Sequence, residues 1–443
     1  MNMLNIATQG VKTAQSLLDN AALNISQMGN SAYTRRDVRV SSRADGTAQA
    51  QDAARVASLA QRERLWRALA GAGEHDVQKP HVDALLTQLG GSDVTSDPMG
   101  LRDLLKALGH EAQVTGSDVH ADEVFEALGR VAERTNALFA SLARLRSNLN
   151  SVRAGEAEKV NRLAASVAEL NRLHRLTPDA AGRLAIEDQR DQALGELAAL
   201  VDIDVREDAS GAYHVLTRGG HPLVLGGRSA RLEAQSDGGY TLSAGASSVS
   251  VPPDGLGGRL GGLDRFLTRE LDKRIEETTE IARTVVEQIN RAHADVTAGP
   301  FTDTPLLSMT TDADGVPRLQ RTVGSAQDLA LGTESANGNG TMLRRLKGAL
   351  DAKVSLSGRS GVTLTEAMSA LAGEAGRRAS EISASAGSAQ SVLVSARTQF
   401  QKQAGVDETD EGASLMAYMK LYRANARVAS VANELFDATL AMV

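Results

Sequence analysis

The sequence predicts a mainly α-helical protein with an inserted β domain, in which terminal coiled-coil helices flank an elongated bundle of long helices. At both ends and twice in the middle, apolar residues recur every three or four positions over long stretches, which is typical of helices packed against each other. Between residues 201 and 262, short alternating segments separated by Gly pairs predict a small antiparallel β domain. Aromatic residues make up only 3% of the chain, which suits helices packed through Leu, Val and Ala.

The segment from Ala413 to Val443 carries the strongest helical pattern. Its first apolar row is interrupted only by Asn433 and comprises Leu415, Met419, Tyr422, Ala426, Ala429, Phe436, Leu440 and Val443. Its second row comprises Leu421, Ala424, Val428, Val431, Leu435, Ala438 and Met442. A helix that is apolar on two adjacent faces must be enclosed from more than one side. We therefore expect other helices to cover both rows.

The first 28 residues contain a matching apolar row. It comprises Leu4, Ala7, Val11, Ala14, Leu18, Ala21, Ile25 and Met28. This regularity predicts that the two terminal helices pair, with neighbouring subunits on the remaining row, and makes Asn425 and Asn433 candidate register-setting positions. One such seam buries too little apolar surface to offset the entropy of ordering about 25 residues, so we expect both termini to be disordered or fraying in the free subunit. The alternative interpretation of the pattern is a purely intramolecular bundle.

Changes in these patterns divide the chain into segments. We expect an N-terminal axial helix and connector at 1–58, the first part of a helical bundle at 59–200, the inserted antiparallel β domain at 201–262, a long bundle helix at 263–299, a turn-rich region associated with the β domain at 300–340, the returning part of the bundle at 341–404, and the C-terminal axial helix at 405–443.

Within these segments, finer features follow from local residue types. The small polar residues from 41 to 58 predict an irregular connector, and the stretch from Gly71 to Pro80 predicts a helix break. A very long helix is expected from Asp122 to Pro178. The glycines from Gly255 to Gly262 predict a flexible linker, since they lack the lysine and hydroxyl residues of a phosphate-binding loop.

Bulk properties exclude several functional classes. A net charge of -7 and a pI near 5.7 argue against binding to nucleic acid or to an anionic membrane surface. The chain has no cysteine, so it forms neither a disulfide nor a thiolate metal site. The first 30 residues lack a basic segment followed by an apolar run, so we expect neither a cleaved secretory signal nor membrane insertion.

Residues that could bind a metal or act in catalysis do not occur in the spacings that such sites require. The eight histidines show no metal-ligand spacing. The stretch from Asp312 to Gly315 begins like a calcium loop but lacks the distal glutamate and is followed by Pro317. No serine or threonine lies in a nucleophile motif. We therefore expect a protein that is not an enzyme and binds no cofactor or metal.

Several motifs resemble those of bacterial flagellar axial proteins. The opening motifs are Leu4-Asn5-Ile6-Ala7, Asn24-Ile25-Ser26 and Tyr33-Thr34-Arg35, and the closing motifs are Tyr422–Val428 and Glu434–Asp437. The stretch Asp188-Gln189-Arg190-Asp191, with Gly261 and Asn290–His293, is similar to the family of first hook-associated proteins, one of two families at the junction between hook and filament. The chain departs from these patterns at Leu23, Gln27, Ala32, Arg36 and Arg423.

The resemblance implies a structural role outside the cell. It implies export through the flagellar type III apparatus without a cleaved signal peptide, escort by an export chaperone at the C-terminal region, and self-assembly into a ring-like zone beside hook protein and the second junction protein. The expected assembly interface comprises Leu4, Val11, Leu18, Asn24, Ile25, Tyr33, Leu415, Met419, Tyr422, Asn425, Ala426, Val428, Asn433, Leu435, Phe436 and Leu440. The alternatives are another axial component, such as hook protein or the second junction protein, and a cytoplasmic coiled-coil module.

Overall fold

The helices account for most of the chain. The computed structural model describes residues 3–30, 32–91, 96–111, 119–236, 239–294, 305–329, 338–356 and 358–441. The α-helices are α1 (Met3–Ser26), α2 (Leu59–Gln88), α3 (Leu101–Glu111), α4 (Val119–Leu176), α5 (Ala180–Leu200), α6 (Gly258–Arg265), α7 (Asp272–Ala294), α8 (Gly338–Leu350), α9 (Leu364–Ala404) and α10 (Glu408–Leu440). Two 3₁₀ turns, Pro253–Gly255 and Ala326–Leu329, and one π-helical segment, Phe266–Leu271, add to these.

The strands form small antiparallel sheets. They are β1 (Arg36–Asp37), β2 (Val40–Ser42), β3 (Ala48–Ala50), β4 (Ala54–Arg55), β5 (Ile203–Glu207), β6 (Tyr213–Thr217), β7 (Pro222–Leu225), β8 (Arg228–Ser229), β9 (Arg231–Ala234), β10 (Tyr240–Ala244), β11 (Ser247–Val251), β12 (Leu307–Thr311), β13 (Pro317–Arg321), β14 (Val354–Leu356) and β15 (Arg359–Val362). The largest sheet has the order β5-β6-β7-β8, and the next has β9-β10-β11. The other strands pair as β1-β4, β2-β3, β12-β13 and β14-β15.

The long helix α4 organises the core. It packs against α5, α3 and α6 as well as against β9 and β13, so helices and sheets share one continuous apolar core. The helix predicted from Asp122 to Pro178 is confirmed, and it stays continuous through Gly155. The predicted third helix is observed as α6, the π-helical segment and α7, while its expected stop at Gly299-Pro300 lies outside the described residues.

Asparagine side chains on the helices attach several strands. In each case the side-chain amide hydrogen-bonds to both the backbone N–H and the C=O of one residue in or beside a strand, at 2.7–3.1 Å. The pairs are Asn24 with Arg36, Asn136 with Leu319, Asn161 with Leu232, Asn171 with Tyr213, and Asn290 with Leu307. The amide thus takes the place of a neighbouring strand and satisfies backbone groups that burial would otherwise leave unpaired.

The helix break predicted between Gly71 and Pro80 is wrong. Helix α2 runs without interruption through this stretch, with Pro80 inside it. At Gly73 a Cβ atom would lie 2.5 Å from the carbonyl oxygen of Ala199, at the end of α5. The glycine therefore allows two backbones to approach each other, and it does not end the helix.

The flexible linker predicted from Gly255 to Gly262 is also wrong, because α6 begins at Gly258 and is buried. Gly258 has a φ of +58°, and a Cβ there would lie 2.7 Å from the backbone of Leu200. At Gly262 a Cβ would lie 2.2 Å from the carbonyl oxygen of Glu74 in α2. These glycines are packing positions between α2, α5 and α6.

The irregular connector predicted for residues 41 to 58 contains the β2-β3 hairpin and β4. The hairpin lies on α1, where the Thr13 hydroxyl donates a hydrogen bond to the carbonyl oxygen of Ala48 at 3.0 Å. Because polar strands have no apolar pattern of their own, the surface of α1 decides that this stretch pairs. In the turn-rich region from 300 to 340, β12 and β13 form a hairpin on α4 and α7, and residues 300–304 and 330–337 lie outside the described part.

Candidate assembly interface

The two terminal helices α1 and α10 pack against each other in opposite directions. Gly10 of α1 meets Asn425 of α10 so closely that a Cβ at Gly10 would lie 2.2 Å from the Asn425 Oδ1 atom. Further along the chain, Arg35, which follows α1, contacts Glu411 in the first turn of α10. Asn425 therefore lies at the crossing of the two helices, where a candidate register-setting residue was expected.

Alanine is prominent among the buried residues of α1 and α10. Ala7, Ala14 and Ala21 of α1 are buried together with Leu17, and so is Ala432 of α10. Alanine lets the two backbones come close, but each such contact removes little apolar area from water. Much of the apolar surface that the sequence places on α10 is consequently left outside this seam.

The structure divides the predicted interface residues into three groups. Asn24 is buried, and a second group is half-buried: Leu4, Val11, Leu18, Ile25, Tyr33, Leu415, Asn425 and Ala426. A third group is exposed and comprises Met419, Tyr422, Val428, Asn433, Leu435 and Phe436. The side chain of Leu440 lies outside the described residues.

One flank of α10 presents a continuous apolar row to solvent. Its large members recur at the spacing of one helix face and are Leu421, Val428, Val431 and Leu435, each at least 42% exposed. An exposed apolar row of this length on a helix marks a protein–protein contact.

The end of α10 extends past the beginning of α1. Ala432 is the last buried residue of α10, and α1 begins at Met3. Beyond it, Leu435 and Phe436 are 57% and 58% exposed among the described residues. We call residues 433–440 the overhang of α10.

The connector after α1 is anchored to α1 by Asn24. Its Oδ1 atom accepts hydrogen bonds from the Tyr33 hydroxyl at 2.7 Å and from the backbone N–H of Arg36 at 3.1 Å. Burial raises the pKa of Tyr33 to about 12, so its hydroxyl stays a donor at neutral pH. The opening motif residues Asn24 and Tyr33 thus fix the direction in which the chain leaves the helix.

A chain of buried ion pairs ties this connector to α5. Asp188 pairs with Arg36 at 3.0 Å and with Arg55 at 3.3 Å, and Asp191 pairs with Arg55 and, at 2.9 Å, with Arg62 of α2. Burial raises the pKa of Asp188, and the neighbouring Arg55 and Arg36 guanidinium groups counteract that shift. The two aspartates that carried the family resemblance therefore join the terminal segment to the bundle.

The arginine between those aspartates faces the β5-β8 sheet. Arg190 lies 3.5 Å from the ring centroid of Tyr213 and donates hydrogen bonds to the Asn171 Oδ1 atom at 3.0 Å and the Gly211 carbonyl oxygen at 2.8 Å. The hydroxyl of Tyr213 in turn accepts a hydrogen bond from Arg62 at 3.2 Å. The sequence analysis did not predict this network, because its members are far apart in the chain. Only the Asp188–Asp191 stretch stood out, through its resemblance to a family motif.

A third anchor holds the beginning of α10. The Arg35 guanidinium pairs with the buried Glu411 carboxylate at 2.6 Å, and this hydrogen bond raises the pKa of Arg35. The backbone N–H of Arg35 also donates to the carbonyl oxygen of Ala404, at the end of α9, at 2.9 Å. Both terminal helices are thus attached to the bundle at one place.

The described residues show neither a metal centre nor a membrane span. No group of three or more His, Cys, Asp or Glu side chains among them is arranged to hold a metal ion. None of the described helices combines the length and the hydropathy that crossing a bilayer requires.

Comparisons with known proteins relate the chain to flagellar proteins. The family model described as "Flagellar hook-associated protein FlgK helical domain" matches residues 81–298. Flagellar hook-associated protein 1 of Escherichia coli is 30% identical over 147 residues, which are 31% of this chain and 27% of that protein. The Salmonella typhimurium protein of the same name is 24% identical over 389 residues, covering 64% of this chain and 69% of that protein.

A solved structure shows the same fold. The flagellar hook junction protein FlgK from Burkholderia pseudomallei superposes with a TM-score of 0.51 at 21% identity, over 56% of this chain and 47% of that chain.

The long-helix bundle with its small sheets is therefore a fold shared with a flagellar hook junction protein. The matches cover the bundle and extend over more than half of the chain. The chain is similar in sequence to flagellar hook-associated protein 1, and its central part matches the helical domain of that family.

Proposed function

We propose that this protein is a structural subunit of the junction between the flagellar hook and filament, and that it assembles through its terminal helices. The observation that carries the proposal is the apolar row on one flank of α10, which stays exposed while an adjacent face of the helix packs on α1. Leu421, Val428, Val431 and Leu435 are 42–57% exposed, so covering the remaining surface would contribute about 1 kcal/mol for each side chain.

The finer parts of the proposal concern place and partners. Subunits form a ring-like zone with the α1–α10 pair inside and the bundle and sheets outside, in contact with hook protein and the second junction protein. Before export through the type III apparatus, a chaperone covers the C-terminal region. The support for a chaperone is the same exposed row, because such a surface would otherwise promote association inside the cell.

A truncation tests the proposal. Deleting residues 415–443 is expected to abolish incorporation into the flagellum, because it removes the apolar row and the partner of α1, while α2–α9 remain folded. The measurement is immunolabelling of isolated flagella, together with the amount of flagellin shed into the medium and the circular dichroism of the purified variant.

A matched set of substitutions distinguishes the role of the apolar row from the effect of replacing any exposed apolar residue. Replacing Leu421, Val428 and Leu435 together by serine is expected to reproduce the truncation, whereas Val249→Ser on the exposed strand β11 is expected to leave assembly unchanged. Normal filaments in cells that carry only the triple serine variant would refute the proposed role of α10.

The free subunit is expected to behave differently from the assembled one. Because α1 contributes a seam rich in alanine, its helix gains little from pairing within one chain, and we expect both terminal helices to exchange their amide hydrogens rapidly in solution. Hydrogen exchange on the dilute monomer measures this. Strong protection across residues 4–28, comparable with that of α4, would contradict the prediction.

A further inference from the structure

We propose that the overhang of α10 docks into a cavity at the base of the terminal helix pair of a second copy of this chain. The inference rests on the proposed assembly through the terminal helices and names one contact within it. Its two sides are the overhang, with Phe436 at its centre, and a cavity between the α1 connector, α2 and the end of α9.

The cavity has a volume of about 450 Å³ and a partly apolar lining. Leu65 of α2, Phe400 of α9 and Val406 form its apolar walls, and Tyr33 borders it on the connector side. Arg397 also lines it, and this side chain is exposed and has no hydrogen-bond or ion-pair partner among the described residues. The cavity therefore offers an apolar surface next to an unpaired positive charge.

The overhang has the complementary chemistry. Leu435 and Phe436 are large apolar residues in it that are 57% and 58% exposed, and Asp437 follows them directly. The Asp437 carboxylate has no partner among the described residues, and it lies near the C-terminal end of α10, where a negative charge is unfavourable to the helix dipole. A cation from another molecule would relieve this repulsion, and Arg397 is such a cation beside an apolar cavity.

The overhang cannot reach the cavity of its own chain. Val406 of the cavity lies directly before α10, whereas Phe436 lies roughly 42 Å further along that helix at about 1.5 Å per residue. The occupant is therefore a second copy. Because the two contacting surfaces differ, the contact is head-to-tail, the kind that builds rings or helical arrays.

Photo-crosslinking tests the contact directly. The purified full-length chain carries p-benzoylphenylalanine in place of Phe436, and a mixture of isotopically light and heavy copies identifies adducts between copies by mass spectrometry. Adducts to Leu65, Phe400 or Val406 of the other copy are expected. The matched control carries the same group at Val249 on β11 and is expected to give at least tenfold fewer of these adducts. A tenfold difference corresponds to about 1.4 kcal/mol of binding free energy.

A charge reversal tests the ion pair. Arg397→Glu is expected to reduce the adduct yield about fivefold, as for a partly exposed ion pair, and combining it with Asp437→Arg is expected to restore the yield. Lys420→Glu, elsewhere on α10, serves as the control and is expected to have no effect. Adducts that map outside the cavity, or a double variant that is no better than Arg397→Glu, would overturn the inference.

The two proposals can fail separately. If the chain joins the flagellum but Phe436 crosslinks elsewhere, the proposed function stands and this contact is wrong. If the purified chain gives the expected adducts but is absent from flagella, the contact stands and the proposed function is wrong.

Discussion

Asp191→Ala is expected to lower the free energy of unfolding by about 3–5 kcal/mol, because removing one partner of a buried pair leaves charge without compensation. The side chains of Arg55 and Arg62 are only 4% and 9% exposed, and Asp191 pairs with both of them. Arg55 keeps Asp188 and Glu187, but among the described residues Arg62 keeps only the hydroxyl of Tyr213.

Urea unfolding followed by tryptophan fluorescence measures this effect. Trp66 is the only tryptophan of the chain, is buried, and lies one helical turn after Arg62 on α2. The matched control is Asp204→Ala, which removes an exposed pair with Arg206 and is expected to change the free energy by less than about 1 kcal/mol. Equal, small effects of the two substitutions would show that the buried network does not stabilise the connector.

Asp191→Ala also has an expected consequence for assembly. The network joins the connector to α5 and α2, so its loss frees the base of the α1–α10 pair. We expect reduced incorporation into flagella even at a temperature where the bundle stays folded. Circular dichroism of the purified variant at that temperature distinguishes this effect from global unfolding.

Asp264→Ala is expected to have a comparable effect of about 3–5 kcal/mol at the other end of the core. Asp264 of α6 pairs with Arg153 of α4 at 2.6 Å, and both side chains are fully buried. Tyr240 donates a hydrogen bond to the same carboxylate at 3.1 Å, and burial, together with the Asp264 charge, raises the pKa of Tyr240. The substitution leaves the buried Arg153 guanidinium without its carboxylate partner.

A double variant provides the control for Asp264. Replacing Arg153 with methionine and Asp264 with leucine removes both charges, and it is expected to recover a large part of the lost free energy, because apolar residues of similar volume can replace a buried pair. Thermal and urea unfolding of the single and double variants give the comparison. A double variant less stable than Asp264→Ala would show that hydrogen bonds to Arg153 matter more than its charge.

Much of the helical architecture was predictable because the periodicity of apolar residues is a local property. The heptads of α4 predicted a helix close to its observed bounds, and the alternating runs after Val201 predicted strands where β5, β6 and β10 lie. The predicted pairing of the terminal helices is observed within one chain, with Asn425 at their crossing. That neighbouring subunits cover the second row of α10 stays a prediction.

The wrong predictions share one cause: they concern residue types whose conformation depends on residues far away in the sequence. Gly73 and Gly262 indicate a break or a linker when only adjacent residues are considered, yet each lets a helix backbone approach a carbonyl group that is far away in the sequence. The strands β2 and β3 carry no apolar alternation, so only the surface of α1 determines that they pair.

The sequence alone determined the class of this protein: long apolar repeats require partner helices, and the motifs at both ends resemble one family. The tertiary structure decided how much of each repeat a single chain can cover. It also gave the Asp188–Asp191 stretch its role, since ion pairs such as Arg36–Asp188 join residues that are adjacent only after folding. The physical reason is that helix periodicity is a property of residues close together in the sequence. The burial of charges, and how far α1 covers α10, depend on which surfaces contact each other in the folded chain.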